Sequence, residues 1–137
     1  MSRYFIAEIM FEHQIDCFCP DGGHADVVTI SKGDILEVTN ERRYIDDFGW
    51  YFLIFINKSR DFFIAIEDLE HYFKCGYILS LVDLDLKVNY LQFKIDQTLE
   101  KGDEESFLQY TKKLTEASKN KSKLDIYVQR YEENLFI

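Results

Sequence analysis

His13, Cys17, Cys19 and His24 fall within twelve residues of one another. Imidazole and thiolate are the side chains zinc takes in tetrahedral sites. A metal held there would make the chain a small metal-binding or hydrolytic protein. The spacing argues against it: Cys17-Phe18-Cys19 separates the thiols by one residue where two to four are usual, and only one such half-site exists. If the segment is extended, both thiols share a face with His13, and His24 must return across the Pro20-to-Gly23 turn. The plainer reading is two small buried thiols and two surface imidazoles. No metal is therefore expected, and these four residues are the candidates for one. His71 and Cys75 stand four apart on a short helix but lack an orienting acid and an oxyanion-hole signature, so they do not read as a nucleophile and base. Asp83 and Asp85, with Glu67, Asp68 and Glu70, could bind a cation or act as acid and base. They sit where first helical turns collect acids anyway. Gly22-Gly23 lacks the pattern of a phosphate loop. No catalytic residue and no cofactor is assigned, and the chain is read as not an enzyme.

The residues that suggest binding lie elsewhere. In Asp46-Asp47-Phe48-Gly49-Trp50 the sole tryptophan stands beside an acidic pair. Trp50, Asp46 and Asp47 could anchor a basic or proline-rich peptide, because aromatic anchors dominate many contacts. The alternative is that Trp50 opens a central strand and belongs to the core. Tyr127 and Tyr131, on the apolar stripe of the last helix, are the second candidate contact. Arg42-Arg43 is too small a basic cluster for a nucleic-acid site.

These groups need elements to hold them. Tyr4 to Met10, Ala25 to Ile30, Asp34 to Thr39, Trp50 to Ile56 and Asp61 to Ile66 read as strands, rich in aromatic and β-branched residues. Lys32-Gly33-Asp34 and Asn57 to Arg60 read as turns, and the polar stretch Asn40 to Gly49 as a connection. Trp50 to Ile56 lacks polar alternation, so cover is expected on both faces. Ile66, Leu69, Tyr72 and Phe73 recur at helical spacing and predict a short helix ending near Cys75-Gly76.

From Leu84 the period is helical, with Leu84, Val88, Leu91, Ile95 and Leu99 in one stripe. Gly102 supplies a left-handed stop and Asp103 an N-cap, with Glu104 and Glu105 in the following turn. So short a connector forces an antiparallel hairpin whose stripes share a seam. Ser118 to Lys123 reads as a second connector, with Ser122 and Asp125 as a capping box opening a third helix.

The run Tyr90 to Phe107, followed by Leu114, resembles the IDEAL domain of Firmicutes proteins over roughly residues 88–117. Ile95-Asp96, Leu99, Gly102-Asp103 and Phe107 carry the resemblance. Thr98 stands where alanine is usual, which implies looser packing there. The resemblance implies a cytoplasmic protein of a Bacillus-like bacterium and transfers no catalytic residue. More faintly, the strands around Lys32-Gly33-Asp34-Ile35-Leu36-Glu37-Val38 look like an SH3-like barrel.

Composition bounds the rest. The 137 residues are 47% hydrophobic, with twelve Phe and nine Tyr but one Pro and six Gly, which excludes a low-complexity chain. A net charge of −9 and a pI near 4.8 disfavour nucleic acid and anionic membranes as partners. The charge is uneven: residues 1–83 carry −8 and residues 84–137 carry −1. Three cysteines, an odd number, fit a reducing compartment. The start reaches Glu8 too soon for a secretory leader, and Trp50 to Ile56 is far short of a membrane span. The expected architecture is α+β: an acidic β-rich domain over 1–83, a small twisted antiparallel sheet with an SH3-like barrel as its familiar form, then a helical segment over 84–137. The expected role is a noncatalytic protein-interaction or regulatory accessory protein of the cytoplasm, with a homodimer through the C-terminal helices as one form of it. A nucleic-acid accessory role ranks third, on fold analogy alone.

Overall fold

The computed structural model describes residues 3–16 and 26–133. The chain divides into two compact units, Met1–Leu79 and Ser80–Ile137. In the first, the described elements run β1 (Tyr4–Ala7), β2 (Phe11–Ile15), β3 (Asp26–Ile30), β4 (Ile35–Ile45), β5 (Gly49–Ile56), β6 (Arg60–Ala65), α1 (Ile66–Lys74) and β7 (Ile78–Leu79). Five strands form an antiparallel sheet in the order β6-β5-β4-β1-β7, and β2 pairs with β3 in a separate two-stranded sheet.

Neither sheet closes, which corrects the expected SH3-like barrel. β6 and β7 are the outer strands of the larger sheet, and β2 and β3 pair only with each other. The reason lies in how the ribbon is buried. Phe11, Val28 and Ile30 join Leu36, Val38, Ile54, Phe62 and Ile64 in one apolar cluster. The ribbon therefore covers the sheet and does not extend its hydrogen-bond ladder. β1 also ends early, at Ala7, where Ala7 N–H donates to Asp34 O and Glu8 N–H to Tyr77 O, each at 2.8 Å. Met10 thus lies outside the strand expected to include it.

β4 is longer than expected and passes through the polar stretch Asn40 to Arg43. Its register shifts between Val38 and Arg42, and Thr39 bridges the irregularity. Thr39 Oγ1 donates to Leu53 O at 2.8 Å and accepts from Glu41 N–H at 3.2 Å. The β5–β6 turn places Asn57 and Lys58 in the left-handed region, with φ of 52° and 61°. Asn57 Oδ1 accepts from Ile35 N–H at 2.9 Å, and its Nδ2 donates to Asp34 Oδ1 at 3.0 Å. Lys58 reaches the buried Glu37 carboxylate in an ion pair.

The short helix forms where its spacing predicts. Tyr72 packs on Phe11 and Phe73 on Phe5, at ring-centroid distances of 4.7 and 5.9 Å. Gly76, with φ of 75°, closes the helix through Gly76 N–H to Phe73 O and Tyr77 N–H to Tyr72 O. This paired closure satisfies two carbonyls that the last turn would leave open.

The second unit holds α2 (Leu81–Lys101) and α3 (Glu104–Glu133). Ser80 and Asp83 form a reciprocal capping box at the start of α2, so the helix begins before the first residue of its apolar stripe. Gly102 is left-handed, with φ of 68°. Asp103 then serves both helices. Its N–H donates to Thr98 O at 2.9 Å, while its Oδ1 accepts from Ser106 N–H at 3.2 Å. Leu84, Leu91 and Thr98 are buried seven residues apart on α2, as are Ala117 and Leu124 on α3. Thr98 Oγ1 donates to Ile95 O at 2.7 Å, so the threonine is buried with its hydroxyl satisfied. α3 runs unbroken through Ser118 to Lys123, where a connector was expected, and Ser122 and Asp125 cap nothing. That stretch contains no glycine or proline. The seam period also continues from Ala117 to Leu124, so burial rewards an intact helix.

Candidate functional site

Among the described residues of the first unit, three of the large exposed aromatic side chains, Tyr44, Phe48 and Trp50, stand on the hairpin joining β4 to β5. Ile45 pairs with Gly49, Tyr44 with Trp50 and Arg42 with Phe52. Directly opposed residues share a face, so Arg42, Tyr44, Trp50 and Phe52 stand together. The Tyr44 and Trp50 rings meet edge to face at 5.3 Å, and the Arg42 guanidinium lies 5.3 Å from the indole centroid. Arg43 stacks over Phe63 at 4.6 Å. Trp50 is 46% exposed and Phe48, in the turn, 64%. Asp46 and Asp47 form that turn and are exposed beside the ring cluster. Asp47 takes a φ of 72° and Phe48 N–H donates to Ile45 O at 2.9 Å. The left-handed position is one that aspartate tolerates better than most residues. Trp50 is thus strand-borne and half-exposed, joined by Tyr44 and Arg42, which lie outside the Asp46-to-Trp50 motif. Register was the missing signal: once Ile45 faces Gly49, Tyr44 must face Trp50.

A second cluster is buried. His13 is 3% exposed, its ring stacked on Phe62 at 5.5 Å and its Nδ1 2.7 Å from the Tyr72 hydroxyl. Burial lowers the His13 pKa, against the raising effect of Asp68 and Asp16. Tyr51 donates its hydroxyl hydrogen to Asp16 Oδ2 at 2.9 Å. Burial, then that carboxylate, pushes the Tyr51 pKa up to about 12. Burial, helped by Asp68, does the same for Tyr72, to about 12. Perturbed pKa values often mark functional sites, but here the hydroxyls are held protonated and the imidazole neutral, as in a satisfied core network. Sequence spacing had paired His13 with Cys17, Cys19 and His24, which lie outside the described residues. Among the described residues no group of three or more His, Cys, Asp or Glu side chains could hold a metal ion.

The other candidates hold structural positions. Cys75 Sγ lies 3.7 Å from His71 Nδ1 and 3.8 Å from Nε2, so it is directed at neither nitrogen as a proton relay requires. Asp83 is committed to the Ser80 cap, and Asp85 pairs with Lys121. Glu67 and Asp68 occupy the first turn of α1. The Tyr127 and Tyr131 rings meet tilted at 50° with centroids 4.5 Å apart, both half-buried. Because Asp85 meets Lys121 in an antiparallel hairpin, these tyrosines lie past the level of Leu81 at the start of α2. No described helix is long and apolar enough to cross a membrane.

Residues 79–114 match the family model of the IDEAL domain. The match runs from the end of β7 through the Ser80 cap and α2, across Gly102-Asp103, and into the first third of α3. No curated protein and no solved structure matches the chain.

Proposed function

We propose that the protein is a noncatalytic interaction or regulatory accessory protein that engages a protein partner through its β4–β5 hairpin. One observation supports this above the rest: Tyr44, Phe48 and Trp50 stand exposed within one hairpin. Large apolar side chains scattered singly over a surface are ordinary, but a grouped set beside charged residues is characteristic of contact surfaces. The rings offer flat apolar platforms, and Asp46 and Asp47 add negative charge at their edge. The matching ligand is a peptide segment with a proline or aliphatic anchor next to lysine or arginine. We place the protein in the cytoplasm of a Firmicutes bacterium, where its three cysteines stay reduced.

The test begins with affinity capture using the wild-type chain and a Tyr44→Ala/Trp50→Ala variant. Partners specific to the wild type are then purified and titrated against it. Trp50 is the sole tryptophan, so its emission reports occupancy of the hairpin directly. Direct binding that shifts this emission and is lost in the double variant supports the reading. Partners captured equally by both proteins sink it.

A further inference from the structure

α3 turns a line of cations to solvent. Residues 112–130 hold five lysines and Arg130 against two carboxylates, a local charge of +4 in a chain of −9. Lys121 is engaged with Asp85, and Lys113 leans over Tyr110, its Nζ 5.7 Å from the ring centroid. The other four, Lys112, Lys119, Lys123 and Arg130, are all exposed. Spacings of seven, four and seven residues set them within about 20° of one line at 100° per residue. At 1.5 Å per residue that line is about 27 Å long. It lies about 100–160° around the helix from Ala117 and Leu124, which are buried in the seam.

Helix stability does not account for the line. Glu116 is the one carboxylate on that face between Lys112 and Arg130. It stands one turn from Lys112 and Lys119, but two turns from Lys123 and about four from Arg130. Arg130 answers the negative end of the helix dipole from the last turn. Lys119 and Lys123 have no such reason. They stand at i and i+4, where like charges destabilise a helix, and a glutamate at 119 would have made a favourable pair with Lys123.

Charge and the bordering residues select the occupant. Leu108 and Ile126, 62% and 65% exposed, flank the line on one side, with the small polar Thr115 and Ser122 between them. Cations beside an aliphatic border complement a helix that carries carboxylates in one stripe and apolar residues next to it. A nucleic acid fits less well. Leu108 and Ile126 offer no ring for a base to stack on. A phosphate backbone also continues past the line to Glu104 and Glu105 in the first turn, whereas a helix can end its carboxylates where the cations end. We infer that the outer face of α3, along Lys112, Lys119, Lys123 and Arg130, is a docking surface for an acidic helical segment of a partner protein. Most of it lies beyond residue 114, where the family match ends. It differs from the β4–β5 hairpin in position and in the charge it selects, and neither reading needs the other.

The probe is a labelled synthetic helix with glutamates spaced seven, four and seven residues apart and leucines beside them. It is titrated with the full chain by fluorescence anisotropy. Binding at micromolar concentration in about 50 mM salt, weakened about fivefold or more in about 300 mM salt, is expected. Lys119→Glu/Lys123→Glu should weaken it by about tenfold with an unchanged circular dichroism spectrum, because two attractions become repulsions. A twin peptide with glutamine for each glutamate should lose about as much. Lys74→Glu/Lys101→Glu, the same change of charge away from α3, and Tyr44→Ala/Trp50→Ala should both bind like the wild type. No binding of the acidic helix by wild type at near-millimolar concentration overturns the inference. So does equal binding of the two peptides, or of wild type and Lys119→Glu/Lys123→Glu. Single-stranded DNA bound more tightly than the acidic helix, and lost in that same variant, would make the face a nucleic-acid surface and also overturns it.

Discussion

Replacing Gly102 with alanine tests the hairpin at the residue that turns it. Alanine there must adopt the φ of 68° that Gly102 holds. For an L-residue that conformation costs roughly 1–2 kcal/mol. No steric term adds to it, because a Cβ built at 102 meets nothing within 4 Å. Alanine also narrows the unfolded ensemble, which returns about 0.4–1 kcal/mol to the folded state. The net expectation is a loss of about 1 kcal/mol. Had Gly102 been an ordinary helical residue, the same change would stabilise by about 0.5–1 kcal/mol. The sign therefore separates the two structures. Urea unfolding followed by far-ultraviolet circular dichroism measures it, as a lower midpoint at unchanged m-value. Gly102→Asn should lose less, since asparagine tolerates the left-handed region. A higher midpoint for Gly102→Ala would refute the reasoning, because α2 would then continue through position 102.

Burial depresses the folded-state pKa of His13, so the unfolded chain binds its proton first; stability should be full above about pH 6.5 and fall as pH drops below it. Chemical denaturation across that range checks this, and His13→Gln should flatten that part of the profile. Lys58→Met leaves the buried Glu37 carboxylate without its ion-pair partner and should cost about 1–3 kcal/mol. Adding Glu37→Gln should recover part of that loss, as a double-mutant cycle would show. Leu91→Ala opens the buried seam of α2 and should cost about 2–5 kcal/mol. Leu99→Ala, exposed on the same helix, should change stability by less than about 0.5 kcal/mol.

The parts of the fold legible in the sequence are those where one local signal acts alone. Gly102 and Asp103 define a junction through backbone conformation and capping, and both act as their residue types predict. The α1 stripe is equally local. The remaining features depend on pairing. Asn40 to Arg43 is polar and reads as a loop, yet Trp50 on β5 and Phe63 on β6 supply ring faces for Arg42 and Arg43 and the segment pairs as a strand. β7 has two residues and exists only because β1 offers it a partner. The barrel expectation failed for a similar reason: strand count cannot say whether a ribbon extends a sheet or lies across it. The lysine-rich stretch of α3 is polar enough to read as a connector, whereas Ala117 and Leu124 keep the seam in phase through it. The part-buried His13–Tyr72 and Tyr51–Asp16 contacts join residues up to 59 positions apart, beyond any spacing rule.

Fold stability gives little reason for a half-exposed tryptophan at position 50. A strand position opposite a tyrosine is filled as well by threonine or valine, without leaving indole surface in water. What distinguishes Trp50 is that its ring is already held, by the Arg42 guanidinium over it and by the Tyr44 ring that meets it edge to face. A ring held before binding loses less side-chain freedom when a partner arrives, so more of the contact energy remains as affinity. The arginine contact at such an exposed site contributes roughly 0.5–1 kcal/mol. Arg42→Ala should therefore loosen Trp50, seen as faster decay of its fluorescence anisotropy, and weaken partner binding by about two- to fivefold. Its stability cost should be small. If Arg42→Ala leaves the anisotropy decay unchanged, the guanidinium does not order the ring, and the exposed aromatic cluster must be explained without preorganisation.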